Sequence, residues 1–216
     1  MPISRLVLDL DQVRDVSADY ATFSGVGEPT LASNLGVAIE IAKSTLGLPV
    51  AVLTNSSLMP HEEVRQALAR ADVVLAKLDA PNEELFHRIN RPVAGYSLDE
   101  IWQGIRRFRS EYRGKLALQM MFIAENKDYA PEMARMATDL SPDEVQINTP
   151  LRPCPVVPLL PEEIAAIRQE FVGLARVVTV CEAPRVDVTP LDLEETLQRR
   201  PERKSQKGGV RPWKFG

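Results

Sequence analysis

The residues able to do chemistry lie where apolar runs end. Tyr20-Ala-Thr-Phe-Ser-Gly-Val-Gly-Glu-Pro-Thr30 is the densest such stretch. Tyr20, Thr22 and Phe23 favour an extended backbone, and Gly25 and Gly27 then permit close approach of a ligand to the chain. Pro29 removes a donor and biases Glu28 away from helix. A strand running into an open polar loop is where parallel α/β proteins hold ligands, although a glycine-dependent turn would read the same way. Later runs end in Thr54, Asn55, Ser56 and Ser57, in Lys77 and Asp79, and in Gln146, Asn148 and Thr149; Gln119 interrupts another. Lys77 inside Val-Val-Leu-Ala-Lys-Leu is expensive to bury without a partner, and Asp79 is the natural one. Alternation sends Lys77 and Asp79 to one side of the sheet, and Gln146 and Asn148 likewise.

Other chemistry is not legible. There is no Gly-x-Ser-x-Gly elbow, no phosphate loop ending in Gly-Lys-Ser and no His-Glu-x-x-His. His61 and His87 fall on expected helices among charges. Cys154 and Cys181 are the two cysteines and form no Cys-x-x-Cys pair. They predict neither a disulfide framework nor a four-ligand metal site, and read as ordinary buried or half-buried thiols.

The elements that position these residues follow from periodicity. Helices are expected over residues 4–16, 33–46, 60–71, 83–89, 97–112, 129–140 and 161–171, with another over 191–199. Strands are expected around residue 20 and over 49–54, 73–78, 116–123, 144–148 and 177–181. Ser4 and Ser97 are candidate N-caps, Ser97 with Glu100 reaching back, and Gly47 is a stop. Residues 150–161 are proline-rich and read as an irregular excursion. Strict β–α alternation implies a parallel sheet with helical crossovers, either a barrel or an open doubly wound sheet.

The 216 residues suit one α/β domain, and the formal charge of −4 demands no nucleic-acid partner. No apolar run approaches the ~20 residues that cross a bilayer, and no signal-peptide pattern opens the chain, so a cytoplasmic protein is expected. From residue 199 onward the chain is basic, and it reads as a solvated tail able to touch a polyanion.

Five blocks carry a resemblance: Phe23-Ser-Gly-Val-Gly-Glu-Pro-Thr-Leu31, Val52-Leu-Thr-Asn-Ser-Ser-Leu58, Lys77-Leu-Asp-Ala80, Ile89-Asn-Arg-Pro92 and Glu144-Val-Gln-Ile-Asn-Thr-Pro150. In this order they resemble the radical S-adenosylmethionine (SAM) superfamily, and within it the iron–sulfur oxidoreductases related to wyosine tRNA-modification enzymes. The resemblance implies a partial (βα)6 TIM-like barrel over residues 1–190, lacking the family's first strand, with a terminal helix and basic tail over 191–216. It implies SAM as cofactor, with Gly25, Gly27, Glu28 and Pro29 around its methionine ammonium. Thr54, Asn55, Lys77, Asp79 and Gln119 would line the cofactor and substrate space, and Asn148 would lie near the adenine.

The family also binds a [4Fe–4S] cluster through Cys-x-x-x-Cys-x-x-Cys, cleaves SAM reductively to a 5′-deoxyadenosyl radical and abstracts hydrogen from substrate. An external electron donor and a small-molecule or RNA substrate, such as an RNA base, are implied. The three-cysteine loop is not in this sequence. The chain is therefore expected to be the C-terminal part of such an enzyme and inactive alone. The alternative is a non-catalytic βα domain that binds an adenosyl ligand or a partner.

Overall fold

The computed structural model describes residues 2–24, 27–151 and 154–182. The described residues belong to one compact unit, Met1–Ala183, and the expected helix over 191–199 and the basic tail lie outside them. Six strands run in chain order: β1 (Ala21–Phe23), β2 (Val50–Thr54), β3 (Val73–Lys77), β4 (Lys115–Met121), β5 (Glu144–Asn148) and β6 (Val177–Thr179). Each pairs in parallel with the next, giving the order β1-β2-β3-β4-β5-β6 with no pairing of β6 back to β1. This is an α/β fold, a partial TIM-like barrel that stays open.

Among the described residues α1 (Ile3–Asp11) precedes β1, and six further α-helices supply the crossovers: α2 (Leu35–Leu46), α3 (Glu62–Leu68), α4 (Glu83–Ile89), α5 (Leu98–Glu111), α6 (Ala130–Leu140) and α7 (Pro161–Glu170). Helix α1 is shorter than its apolar spacing predicts, because residues 12–15 are turns. Ser4 does not cap it; Pro2 holds the cap position without a side-chain bond. The other local signals operate as read. Ser97 Oγ accepts from Glu100 N at 3.2 Å and donates to Glu100 Oε2 at 3.0 Å. Gly47 ends α2 at φ +64°, its N–H bonded to Lys43 O. No helix or strand forms between β5 and α7 among the described residues, as the prolines predict.

The two faces of the sheet differ. Val50 and Val52, Val74 and Ala76, Leu116, Leu118 and Met120, and Val145 and Ile147 point toward the helices and are buried. They meet Ile39 of α2, Leu68 of α3, Ile105 and Phe108 of α5, Met133 of α6 and Ile164 of α7 in one core. At about 25 cal/mol per Å² of apolar surface, this layer is the main stabilising term. Alternate residues face the other way. There Leu53, Leu75, Lys77, Gln119, Met121, Gln146, Asn148 and Val178 are only half-buried.

Carboxylates fasten the strand starts. Asp72, just before β3, accepts from Val50 N at 2.8 Å and pairs with Lys43 at 2.7 Å. Asp143, just before β5, accepts from Leu116 N at 2.8 Å and pairs with Arg109 at 2.8 Å. Each finishes the hydrogen bonding of a neighbouring strand before its own begins.

Helix α5 lies against the chain leaving β2 through Gly104, where a Cβ would stand 2.6 Å from Met59 C and from Pro60 N. That backbone cannot move aside without lifting the buried Met59. Gly104→Ala is expected to lower stability by about 1–3 kcal/mol, the range for overpacked cores. A urea midpoint equal to that of the native chain would contradict this contact.

Candidate functional site

The loop after β1 is built on the Glu28 carboxylate. Its Oε1 accepts from Thr30 N at 3.2 Å, Thr30 Oγ1 at 2.7 Å and Thr54 Oγ1 at 2.6 Å. Its Oε2 accepts from Asn55 N at 2.7 Å. One carboxylate thus caps the 3-10 turn Pro29–Leu31 and ties it to the end of β2. Thr54 is buried on the helix side and spends its hydroxyl on Glu28 and on the N–H of Ser56. Ser56, at φ +69°, is fully buried and donates its hydroxyl to Lys77 O at 2.9 Å. The strand exits are therefore chained together from β1 through β2 to β3.

Asp79 holds the next junction. Its Oδ1 accepts from Met121 N at 2.9 Å, extending the β3–β4 ladder past the end of β3. Its Oδ2 accepts from Asn90 Nδ2 and pairs with Lys77 Nζ, both at 3.1 Å. The Asp79 side chain is 3% exposed and that of Lys77 34%. The aspartate is thus the buried support and the ammonium the accessible group. Beneath lies Asn126, fully buried, donating to Asp79 O and Met121 O and accepting from Ile123 N.

Asn55, just past the end of β2, accepts from Ser57 N through its Oδ1 at 2.9 Å. Register places three polar side chains side by side on the open face. Lys77 is opposite Gln119, and Gln119 opposite Gln146. Asn148, opposite Met121, is one level higher and half-buried. One level below is an ion triad: Glu144 Oε2 pairs with Lys115 Nζ at 2.7 Å and with Arg176 Nε at 2.9 Å. Burial alone would push the Glu144 carboxyl up. Hydrogen bonds from Lys115 and Gln146, and the Lys115 and Arg176 charges, outweigh it and hold the group below its ordinary 4.5.

The structure thus brings Glu28, Asn55, Lys77, Gln119 and Asn148 to one end of the sheet, with Gly27 and Pro29 on the adjoining loop. Thr54 and Asp79 stand behind them as supports. Gly25 lies outside the described residues. The sequence places Ser56 and Gln146 at strand exits without assigning them to the cofactor site, and it does not single out Asn126 or Glu144. The Glu-Val-Gln-Ile-Asn alternation of β5 carries the signal for Glu144 as it does for Gln146. Asn126 gave none, being one polar residue among several in a loop.

No group of three or more His, Cys, Asp or Glu suited to a metal ion occurs among the described residues. Cys154 is exposed, not buried as expected, because the proline-rich stretch carries it over the surface; Cys181 is half-buried, and both are free. A [4Fe–4S] cluster takes cysteine thiolates, and two cysteines do not provide the three of a Cys-x-x-x-Cys-x-x-Cys loop. The residues present do not fit the cluster. Nor is any helix among the described residues long and apolar enough to cross a membrane.

Known proteins share this architecture. SuiB of Streptococcus suis bound to S-adenosylmethionine matches with a TM-score of 0.67 at 12% identity, over 88% of this chain and 47% of that one. A radical SAM methyltransferase from Sphaerobacter thermophilus matches with a TM-score of 0.59 at 21% identity, over 82% and 56%. Archaeal TYW1 matches at 0.57 and 16%, over 79% and 59%. The chain shares the fold of these proteins, an open parallel α/β barrel. In sequence it is 38% identical over 158 residues to UPF0026 protein slr1464 of Synechocystis sp., covering 72% of this chain and 59% of that protein. It is 35% identical over 148 residues to UPF0026 protein MJ1312 of Methanocaldococcus jannaschii, covering 67% and 46%. The chain thus spans about half the length of these relatives. No family model matches it.

Two outcomes follow from this geometry. In Glu28→Gln the new NH2 opposes either the Asn55 N–H or the Thr30 N–H, donor against donor. Losing one hydrogen bond to a charged group, about 1.5 kcal/mol or more, should speed exchange of one of these two amides about tenfold. Unchanged exchange of both would show that Glu28 does not hold the loop. Glu144, with its folded value depressed, stabilises the fold above about pH 4.5, and that contribution is lost as pH falls through the folded value. Glu144→Gln should therefore lower stability at pH 7 and flatten its fall below pH 4.5. An acid-unfolding curve parallel to that of the native chain would contradict the triad.

Proposed function

We propose that this barrel binds SAM across the exits of its strands and belongs to a radical SAM protein. The observation that carries the reading is the polar row Lys77, Gln119 and Gln146, set in register at the mouth of a fold shared with SAM-bound SuiB. Half-exposed carboxamides and an ammonium suit a ligand that is itself donor- and acceptor-rich. The loop through Gly27, Glu28 and Pro29 offers backbone carbonyls to the methionine ammonium, and Glu28 keeps that loop in place. Lys77, supported by buried Asp79, presents a cation to an anionic or carbonyl oxygen. Asn148, free of side-chain hydrogen bonds among the described residues, faces the adenine side.

Radical chemistry on bound SAM would need a [4Fe–4S] cluster, which the residues described do not fit. The chain's own residues account for binding and orienting SAM, not for the cluster. The resemblance of the sequence blocks to wyosine-related enzymes makes an RNA base the first substrate to test. A second reading, an adenosyl-ligand binding domain without radical chemistry, is favoured by the misfit between Cys154, Cys181 and a three-thiolate ligand set.

Calorimetric titration of the chain with SAM tests the reading. One-to-one saturable binding is expected without added iron. Asn148→Leu should weaken it about fivefold to tenfold and leave the urea midpoint unchanged. A chain that takes up no SAM at millimolar concentration would overturn the proposal. Recovery of a stoichiometric four-iron cluster after anaerobic reconstitution would reject the binding-only reading.

A further inference from the structure

One set of side chains on the open face has its polarity fixed from below. Glu144, gripped by Lys115 and Arg176, is a carboxylate and can only accept. Gln146 must therefore turn its NH2 toward it, and Gln146 Nε2 donates to Glu144 Oε1 at 2.8 Å. The Gln146 carbonyl is thereby aimed across to β4, where Gln119 Nε2 donates to Gln146 Oε1 at 3.4 Å. Gln119 is committed in turn: its nitrogen faces Gln146. Its Oε1 accepts no hydrogen bond among the described residues. The residue in register on its other side is Lys77, whose ammonium is bonded only to Asp79 among them.

We infer that Glu144 and Gln146 are positioning residues that fix Gln119 Oε1 as an acceptor beside the Lys77 donor. This pair, one strand apart, reads a ligand edge that carries an N–H donor next to an oxygen or nitrogen acceptor. Neighbouring strands lie about 4.8 Å apart, so both groups reach one small ligand. An unconstrained carboxamide would offer donor or acceptor equally; the relay removes that ambiguity and gives the site its specificity. The inference rests on the SAM-binding reading. SAM carries such an edge twice: ammonium beside carboxylate on its amino-acid end, and exocyclic amine beside a ring nitrogen on adenine.

The test uses the full chain with nitrogen-15 label in its glutamine side chains, alone and with SAM, methionine or adenosine. In the ligand-free chain Gln146→Leu should move the Gln119 side-chain amide resonances. It should also weaken SAM about threefold to tenfold although Gln119 is untouched; Gln146→Met is the companion variant if leucine disturbs the fold. Gln119→Leu should weaken SAM about fivefold or more. Whichever of methionine and adenosine loses affinity in Gln119→Leu identifies the edge that is read. Gln119 resonances indifferent to both Gln146 variants would overturn the relay. Equal SAM affinity in the native chain and Gln119→Leu would overturn its use, while leaving SAM binding intact. A native chain that binds none of the three ligands would overturn both.

Discussion

The Glu28 carboxylate is the contact on which the mouth of this sheet depends. Strand β1 is only three residues long and, among the described residues, pairs with β2 alone. Three pairs of facing residues cannot by themselves fix the loop that follows. Glu28 does so with four hydrogen bonds, three to Thr30 and Thr54 through one oxygen and one to Asn55 through the other. The bonds to a charged acceptor are stronger than neutral ones. Through Thr54 and Ser56 the same chain of bonds reaches the Lys77 carbonyl, and Asp79 continues it to Met121 of β4. The rim is thus a series of side chain-to-backbone bonds that takes over where the parallel ladder ends.

Beneath the rim, the open face resolves a conflict common to sheets covered on one side. Polar residues there need partners, since an unpaired buried group costs about 1–3 kcal/mol. Pairing them all with one another would leave nothing for a ligand. The face answers with a gradient. At the lower level Glu144 is satisfied by Lys115, Arg176 and Gln146. At the level above, Gln119 has one long bond and Lys77 one ion pair. Unspent bonding capacity therefore rises toward the mouth.

Much of this was legible in the sequence. Six apolar runs alternating with helical periodicity gave the strand and helix order, and strand β5 and helix α4 fall on the expected residues. The opposed roles of Lys77 and Asp79 were not legible. Both carry charge in an apolar run, and only tertiary packing decides which is buried. Thr54 reads as a mouth residue because it ends a strand, yet the parity of β2 turns it to the helix side. Helix α1 reads too long because apolar spacing continues through Val13, where tertiary contacts no longer reward a helical backbone. The exposure of Cys154 was missed for the converse reason: cysteine composition favours burial, and a proline-rich excursion overrides it.

A crystal structure of the chain grown with SAM decides where the ligand sits. SAM is expected at the strand exits, with Gln119 Oε1 and Lys77 Nζ both within hydrogen-bonding distance of it and the Glu28 bonds unchanged. SAM bound elsewhere, or a mouth that stays empty in saturating SAM, would contradict that placement.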